Sequence, residues 1–324
     1  MCLIMKKGIA AFLAFLILQQ ALGWGFLGHK TINNRAVFAL PPELFGFYKL
    51  HIDYVTAHST DPDNRRYLFE DEGCRHYLDC DHYESESPLD TIPHNWYKAV
   101  ETYTEDSLNA HGIVPWHTIL MLRRLTKAFE EKNLDKILKY SADIGHYIAD
   151  AHVPLHASSN YNGQHTGQHG IHALWESRLP QLFLDSFDIL PGTVSYIDNP
   201  QEYIWNTMSM SYACVDSVLL IEKAVTARHE NDKYAYEMVG NTTVQVYSKA
   251  FCEDYDASMQ DMVSRRMKAS IAAVASFWYT AWVDAGMPNI SEINGTPAPD
   301  PLDEKSAKAR ENGPIKGREE HGKD

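Results

Sequence analysis

The sequence predicts an all-α protein built as one multi-helix domain. Apolar residues recur at helical spacing through most of the chain, alternating strand patterns are scarce, and no linker or internal repeat divides residues 24–294.

The first 23 residues stand apart from that domain. Lys6 and Lys7 open a short apolar run from Gly8 to Leu18, and Ala21, Leu22 and Gly23 place small residues where a leader is cut. The run is shorter than the roughly 20 residues needed to cross a bilayer, so it reads as a signal peptide removed before Trp24. An exported protein is expected, periplasmic or extracellular.

Helices are expected at 118–131, 133–152, 203–229 and 240–285. In the last of these Ile271, Val274, Trp278 and Trp282 fall three and four apart. Residues 295–324 are rich in Pro, Gly and mixed charge with no apolar face to bury, and are expected to be a disordered tail.

The formal charge is −14, and it is carried by residues 24–294, because the tail is close to balance. So acidic a surface excludes tight, nonspecific binding to long duplex nucleic acid. It leaves room for a local cationic pocket made by metal ions. Cys2 leaves with the leader. Cys74, Cys80, Cys214 and Cys252 admit one or two disulfides in any of three pairings, or four buried thiols. None lies in a CxxC arrangement, so cysteine-bound zinc is not expected.

The chemistry gathers around His146 and Asp150, one helical turn apart and therefore on one face. Pro154 ends that helix and His156 follows in the loop. A second pair, His172 and Glu176, repeats the spacing. A single His-xxx-acid pair is usually a helix-surface ion pair, whereas two pairs joined by a Pro-x-His turn offer imidazole and carboxylate donors suited to zinc. Cleavage before Trp24 would free an amine with a pKa near 8, able to chelate a metal together with its own carbonyl oxygen. His29 is five residues on. Asp61 and His76, 15 residues apart, complete the set, although a lone His or Asp here would otherwise read as structural.

Taken in order, Trp24…His29, Asp61…His76, His146-xxx-Asp150-xxxxx-His156 and His172-xxx-Glu176 resemble the superfamily of bacterial zinc-dependent phospholipases C and the single-strand-specific zinc nucleases of fungi and plants. The motifs cover residues 24–180. The resemblance implies an all-α domain with a trinuclear zinc cleft. One ion would be held by Asp61, His76, His146 and Asp150, and a second by His156, His172 and Glu176. A third would take the Trp24 amine and carbonyl, His29 and the bridging Asp150. Asp63 stands close to Asp61, so that ligand could shift register. The family chemistry is hydrolysis of a phosphodiester by metal-activated water, with Asp150 joining two ions and Asp61 also orienting the water.

On the substrate the residues divide. The run from His172 to Pro180 and the Trp24–His29 spacing are similar to the nucleases, while Glu176 and the Pro-x-His turn are closer to the phospholipases. Tyr77 and Asp79 match positions that stack on and bond to a base in the nucleases. Arg65 is the candidate for a phosphate contact, one residue beyond the nuclease position, which is Asn64 here; full solvation of Arg65 is the alternative. The expectation leans to a nuclease on single strands or nucleotides, with a phospholipase C as runner-up and an exported zinc-binding protein without turnover as a third reading. A monomer with no stable macromolecular partner is expected. Trp116 and His117 read as core, His165 and His169 as solvated loop residues, and His152 as either a neighbour of the ligands or exposed.

Overall fold

The computed structural model describes residues 24–83, 88–192, 194–239 and 242–316. The expected leader, residues 1–23, lies outside the described residues, as do 317–324.

The centre of the fold is a pair of antiparallel helices. Helix α8 (Val114–Glu130) has Pro115 in its first turn, where a missing N–H costs nothing. Helix α9 (Leu134–Ala151) starts at Asn133, whose side chain accepts from the Lys136 N–H at 3.0 Å. Every residue of α9 from Ser141 to Ala151 is buried. A helix buried all round belongs in the middle of a protein, and its neighbours supply the rest of the core.

Around this pair, in chain order, run α1 (Gly25–Val37), α2 (Pro42–Leu50), α3 (Ile52–Ala57), α4 (Asp61–Arg65), α5 (Pro88–Thr91), α6 (Trp96–Tyr103) and α7 (Glu105–His111). After α9 come the short α10 (Ile171–Ala173), α11 (Leu179–Phe183), α12 (Pro200–Tyr212) and α13 (Val215–Arg228). A hairpin of β1 (Tyr234–Val239) and β2 (Thr242–Tyr247) leads to α14 (Lys249–Ser258), α15 (Met262–Asp284) and α16 (Pro301–Asn312).

Two contacts fix α1 and α15 against α9. Gly145 leaves room for Asn33, whose Nδ2 donates to the carbonyls of Val55 and Ala142, both at 3.1 Å. A Cβ at Gly145 would come within 2.1 Å of the Asn33 Oδ1, so only glycine lets the two helices meet here. On the other side Trp278 donates from Nε1 to the Ser141 carbonyl at 3.0 Å and stacks flat on Tyr48. Burying such an indole and satisfying its N–H together makes a strong anchor.

The fold is mostly helical, as expected, with four departures. The stretch expected as one helix over 203–229 breaks at Ala213 and Cys214 into α12 and α13. The stretch over 240–285 is strand, helix, then helix: β1 pairs antiparallel with β2, Tyr234 opposite Tyr247, and Gln260 and Asp261 take positive φ between α14 and α15. Residues 301–312 of the expected disordered tail form α16. Asp300 caps its start, accepting from the Leu302 N–H at 2.8 Å, and Asp303 and Ser306 are buried against the domain. Finally, no disulfide joins Cys74, Cys80, Cys214 or Cys252. Three of them are buried and behave as small apolar side chains. Among the described residues no helix is long and apolar enough to cross a membrane.

Candidate metal centre

Four elements and two loops bring the predicted donors together. Helix α9 supplies His146 and Asp150 from one face, one turn apart. Helix α1 lays His29 alongside, its ring stacked on His146 at 3.9 Å between centroids. The Asp150 carboxylate divides between two neighbours. Its Oδ1 is 3.3 Å from His29 Nε2, and its Oδ2 is 2.9 Å from His76 Nδ1 and 3.2 Å from His146 Nε2. One carboxylate facing two donor groups is the arrangement a bridging ligand needs.

The acidic partner of His76 and His146 is Asp63. Its Oδ1 is 3.9 Å from His76 Nδ1 and 3.7 Å from His146 Nε2. Both its oxygens are buried without a hydrogen bond, a costly state unless a cation is shared. Asp61 turns the other way, its Oδ2 2.6 Å from His58 Nδ1, in a group that includes Asp303. The structure thus sets Asp63, and not the expected Asp61, beside His76 and His146. Both residues lie in the single turn of α4, where two positions are about 200° apart and face opposite sides.

The second group is His156, His172 and Glu176. His172 begins α10, and Glu176 sits in a wide π turn, Leu174–Arg178. Such turns are frequent at functional sites. Glu176 Oε2 is 3.0 Å from His172 Nε2 and 3.5 Å from His156 Nε2, and the two Nε2 atoms are 3.1 Å apart. Donors around a tetrahedral zinc at about 2.1 Å lie roughly 3.4 Å from one another. The group is already spaced for one ion.

Main-chain carbonyls fix which nitrogen of each ring faces inward. His146 Nδ1 is 2.8 Å from the Ser59 carbonyl, His156 Nδ1 2.7 Å from the His76 carbonyl and His172 Nδ1 3.1 Å from the Tyr161 carbonyl. A carbonyl only accepts, so each Nδ1 carries a hydrogen and Nε2 is the atom each ring turns towards the cluster. His76 is reversed. Its Nδ1 faces the cluster and its Nε2 points at Glu72 Oε1, 3.8 Å away. Glu72 is held in turn by the Tyr147 hydroxyl and by Arg75 at 2.6 Å. Glu72 and Tyr147 were not picked out from the sequence; the i,i+4 spacing of Glu72 and His76 was the available signal.

The electrostatics favour positive charge in the cluster. Burial opposes ionisation of His146, yet the Asp150 and Asp63 carboxylates override it and push its pKa up to about 9. Burial likewise works against the Asp150 carboxylate, but His146 and His156 hold it well below the usual range. Ring nitrogens turned inward, the Asp63 oxygens without hydrogen bonds and an oxygen–nitrogen donor set all fit zinc.

Trp24 is carried to the same place. It is fully buried, donates from Nε1 to the Ala149 carbonyl at 2.7 Å, and packs on Trp175. Ala149 and Trp175 immediately precede Asp150 and Glu176, so the indole is wedged behind both.

The three substrate-contact candidates are placed elsewhere. Arg65 is buried in an ion-pair network, with Asp143 at 3.1 Å, Glu72 at 3.6 Å and the Tyr147 hydroxyl at 3.3 Å. It braces the centre from behind; neither phosphate contact nor full solvation describes it. Tyr77 is buried with its hydroxyl donating to the Ala110 carbonyl at 3.3 Å, and Asp79 lies 3.5 Å from His111 Nδ1. The α7 segment covers both. Trp116 and His117 are core, as expected, and His165 and His169 are exposed. His152 is buried, its Nδ1 donating to the Ile148 carbonyl at 2.7 Å.

A family model for zinc dependent phospholipase C matches residues 28–237. The chain belongs to the zinc-dependent phospholipase C family. The match spans the donors from His29 to Glu176 and favours the phospholipase side of the resemblance over the nuclease lean. Among solved structures, alpha toxin from Clostridium absonum is similar to this phospholipase C family member at 15% identity, with a TM-score of 0.47, covering 84% of this chain and 66% of that one. No curated protein matches the chain.

Proposed function

We propose that the mature chain is an exported zinc-dependent phospholipase C that hydrolyses the phosphodiester of a phospholipid headgroup. The observation that carries this reading is the Asp150 carboxylate shared between two buried donor groups, inside a chain matched by the phospholipase C family model. His29, Asp150 and the Trp24 terminus would hold one ion; Asp63, His76, His146 and Asp150 a second; His156, His172 and Glu176 a third. Zinc, when bound, lowers the pKa of water towards neutrality and withdraws charge from a phosphoryl oxygen.

The chain's own residues do the rest. Ser59, His76 and Tyr161 carbonyls orient the rings of His146, His156 and His172. Glu72 fixes His76 in the reversed orientation, and outer contacts of this kind preserve a metal site's geometry. Asp63, whose oxygens make no hydrogen bond, would accept a proton from the attacking water. The wall of Trp24 and Trp175 excludes bulk water, which strengthens every charge interaction inside.

The test offers the zinc-loaded protein, beginning at Trp24, phosphatidylcholine, single-stranded DNA and RNA. Release of phosphocholine and diacylglycerol, abolished by chelator and restored by zinc, is expected. Release of nucleotides without phosphocholine would overturn the phospholipid assignment.

A further inference from the structure

The proposed metal centre is sealed. None of His29, Asp63, His76, His146, Asp150, His156, His172 or Glu176 exposes more than 1% of its surface. The neighbouring cavity, 110 Å³ between Phe26 and the Glu176–Gln181 stretch, admits a few waters and no phosphodiester. This cavity alone does not bring a phosphodiester to the donors.

Helix α16 lies over the side of the centre formed by α4 and the start of α1. At its near end Lys139 Nζ is 2.8 Å from Asp300 and 3.2 Å from Asp303, and the Ala298 N–H donates to Asp135 at 2.9 Å. At its far end the Lys316 N–H donates to the Arg66 carbonyl at 2.9 Å, and Lys316 Nζ to the Leu68 carbonyl at 3.1 Å. Between them the Arg310 guanidinium lies 3.9 Å over the Phe26 ring. Phe26 lines the cavity and precedes His29 by less than a turn. Tyr67 follows α4 directly, its N–H donating to the Asn64 carbonyl at 3.2 Å, and it is buried.

The inward face of α16 carries Asp303, Ser306 and Arg310. Domain helices here bury apolar faces, whereas this one is held by ion pairs, a cation over a ring and main-chain hydrogen bonds. The contacts at its two ends, Lys139 with Asp300 and Lys316 with the main chain, are part-exposed and yield to salt or competing charge. Asp303 is buried and also lies 3.8 Å from Arg65, so the strap lifts from its ends.

We propose that residues 297–316 form an autoinhibitory strap, closing the entrance at Phe26 and Tyr67, and that release of α16 admits the substrate. The strap occupies the route to the site; this rests on the phospholipase reading for the substrate alone, and sealing of the bound metal is independent of it.

The experiment uses the full mature chain loaded with zinc and its Asp300→Asn, Asp303→Asn, Arg310→Ala triple variant. A second form carries a specific protease site inserted between Gly295 and Thr296 and is cut after folding. Two rates are read: extraction of zinc by a chelator, and hydrolysis of a water-soluble phosphocholine ester. A strap that leaves one molecule in about ten open predicts that both rise about tenfold on release. Trypsin cleavage at Lys305 and Lys308 reports that the helix has lifted, and an unchanged melting transition that the core has not. Zinc extraction at the parent rate, in either form with its helix lifted, overturns the proposal. Faster extraction with no hydrolysis by any form upholds the strap and rejects the phospholipase assignment.

Discussion

His156 and His172 meet Nε2 to Nε2 at 3.1 Å while each donates its Nδ1 hydrogen to a main-chain carbonyl. Glu176 adds a carboxylate oxygen to the same point. The fold has gathered three donor atoms at one place in its interior. A metal ion shared among them ties three separate segments together, so zinc should stabilise the chain as well as activate it.

The exchange of Asp61 for Asp63 gives the sharpest comparison of single residues. Asp63→Asn should cost one zinc and lower activity by more than the roughly 10–100-fold typical of losing an outer contact. Asp61→Asn, which disturbs only the His58 pairing, should keep the full zinc content. Metal analysis of both purified variants decides it; zinc loss in the Asp61 variant alone would restore the original assignment.

Glu72 makes no proposed metal contact, yet its Oε1 faces His76 Nε2 across 3.8 Å. Glu72→Gln should weaken zinc binding by about 10–100-fold through the misdirected ring. Competition with a calibrated chelator reads this directly. Parent affinity in the variant would mean that His76 holds its position unaided.

Gly145→Ala drives a methyl into Asn33 where α1 crosses α9. Overpacking costs about 1–3 kcal/mol, and the two Asn33 hydrogen bonds are strained as well. The denaturation midpoint in urea should fall, and zinc affinity with it, because His29 and His146 ride on these two helices. An unchanged midpoint would show that the crossing can widen freely.

Asp256 supplies a pH signature far from the metal. Burial, with Asp261 nearby, pushes its carboxyl up to about 6, and its Oδ1 is buried without a hydrogen bond. The folded chain therefore binds this proton more tightly than the unfolded chain, so the group subtracts stability as pH rises from about 4 to about 6, with the full penalty present above that. Asp256→Asn should raise the melting temperature at pH 7.5 and leave it unchanged near pH 4. A rise of equal size at both values would contradict the assignment.

Much of this was legible in the sequence because local rules carry it. The pairs His146–Asp150 and His172–Glu176 need only helical periodicity, and Trp24 with His29 needs only the grammar of a leader. The choice between Asp61 and Asp63 was not, since it turns on how one short helical turn is docked. Arg65 looked available because its partner Asp143 is distant in sequence and Glu72 returns to it only after a turn of the chain. The β1–β2 hairpin did carry a signal, Gly240-Asn241 between alternating residues. So did α16, where Asp300 and Pro301 form a cap and first-turn proline; its polar inward face hid that signal from any search for apolar periodicity.

The most direct measurement is the zinc content of the folded chain beginning at Trp24, before and after His156→Ala with Glu176→Ala. The account predicts about three ions falling to about two, each a buried site of imidazole and carboxylate donors. A folded parent chain that binds no zinc would contradict it.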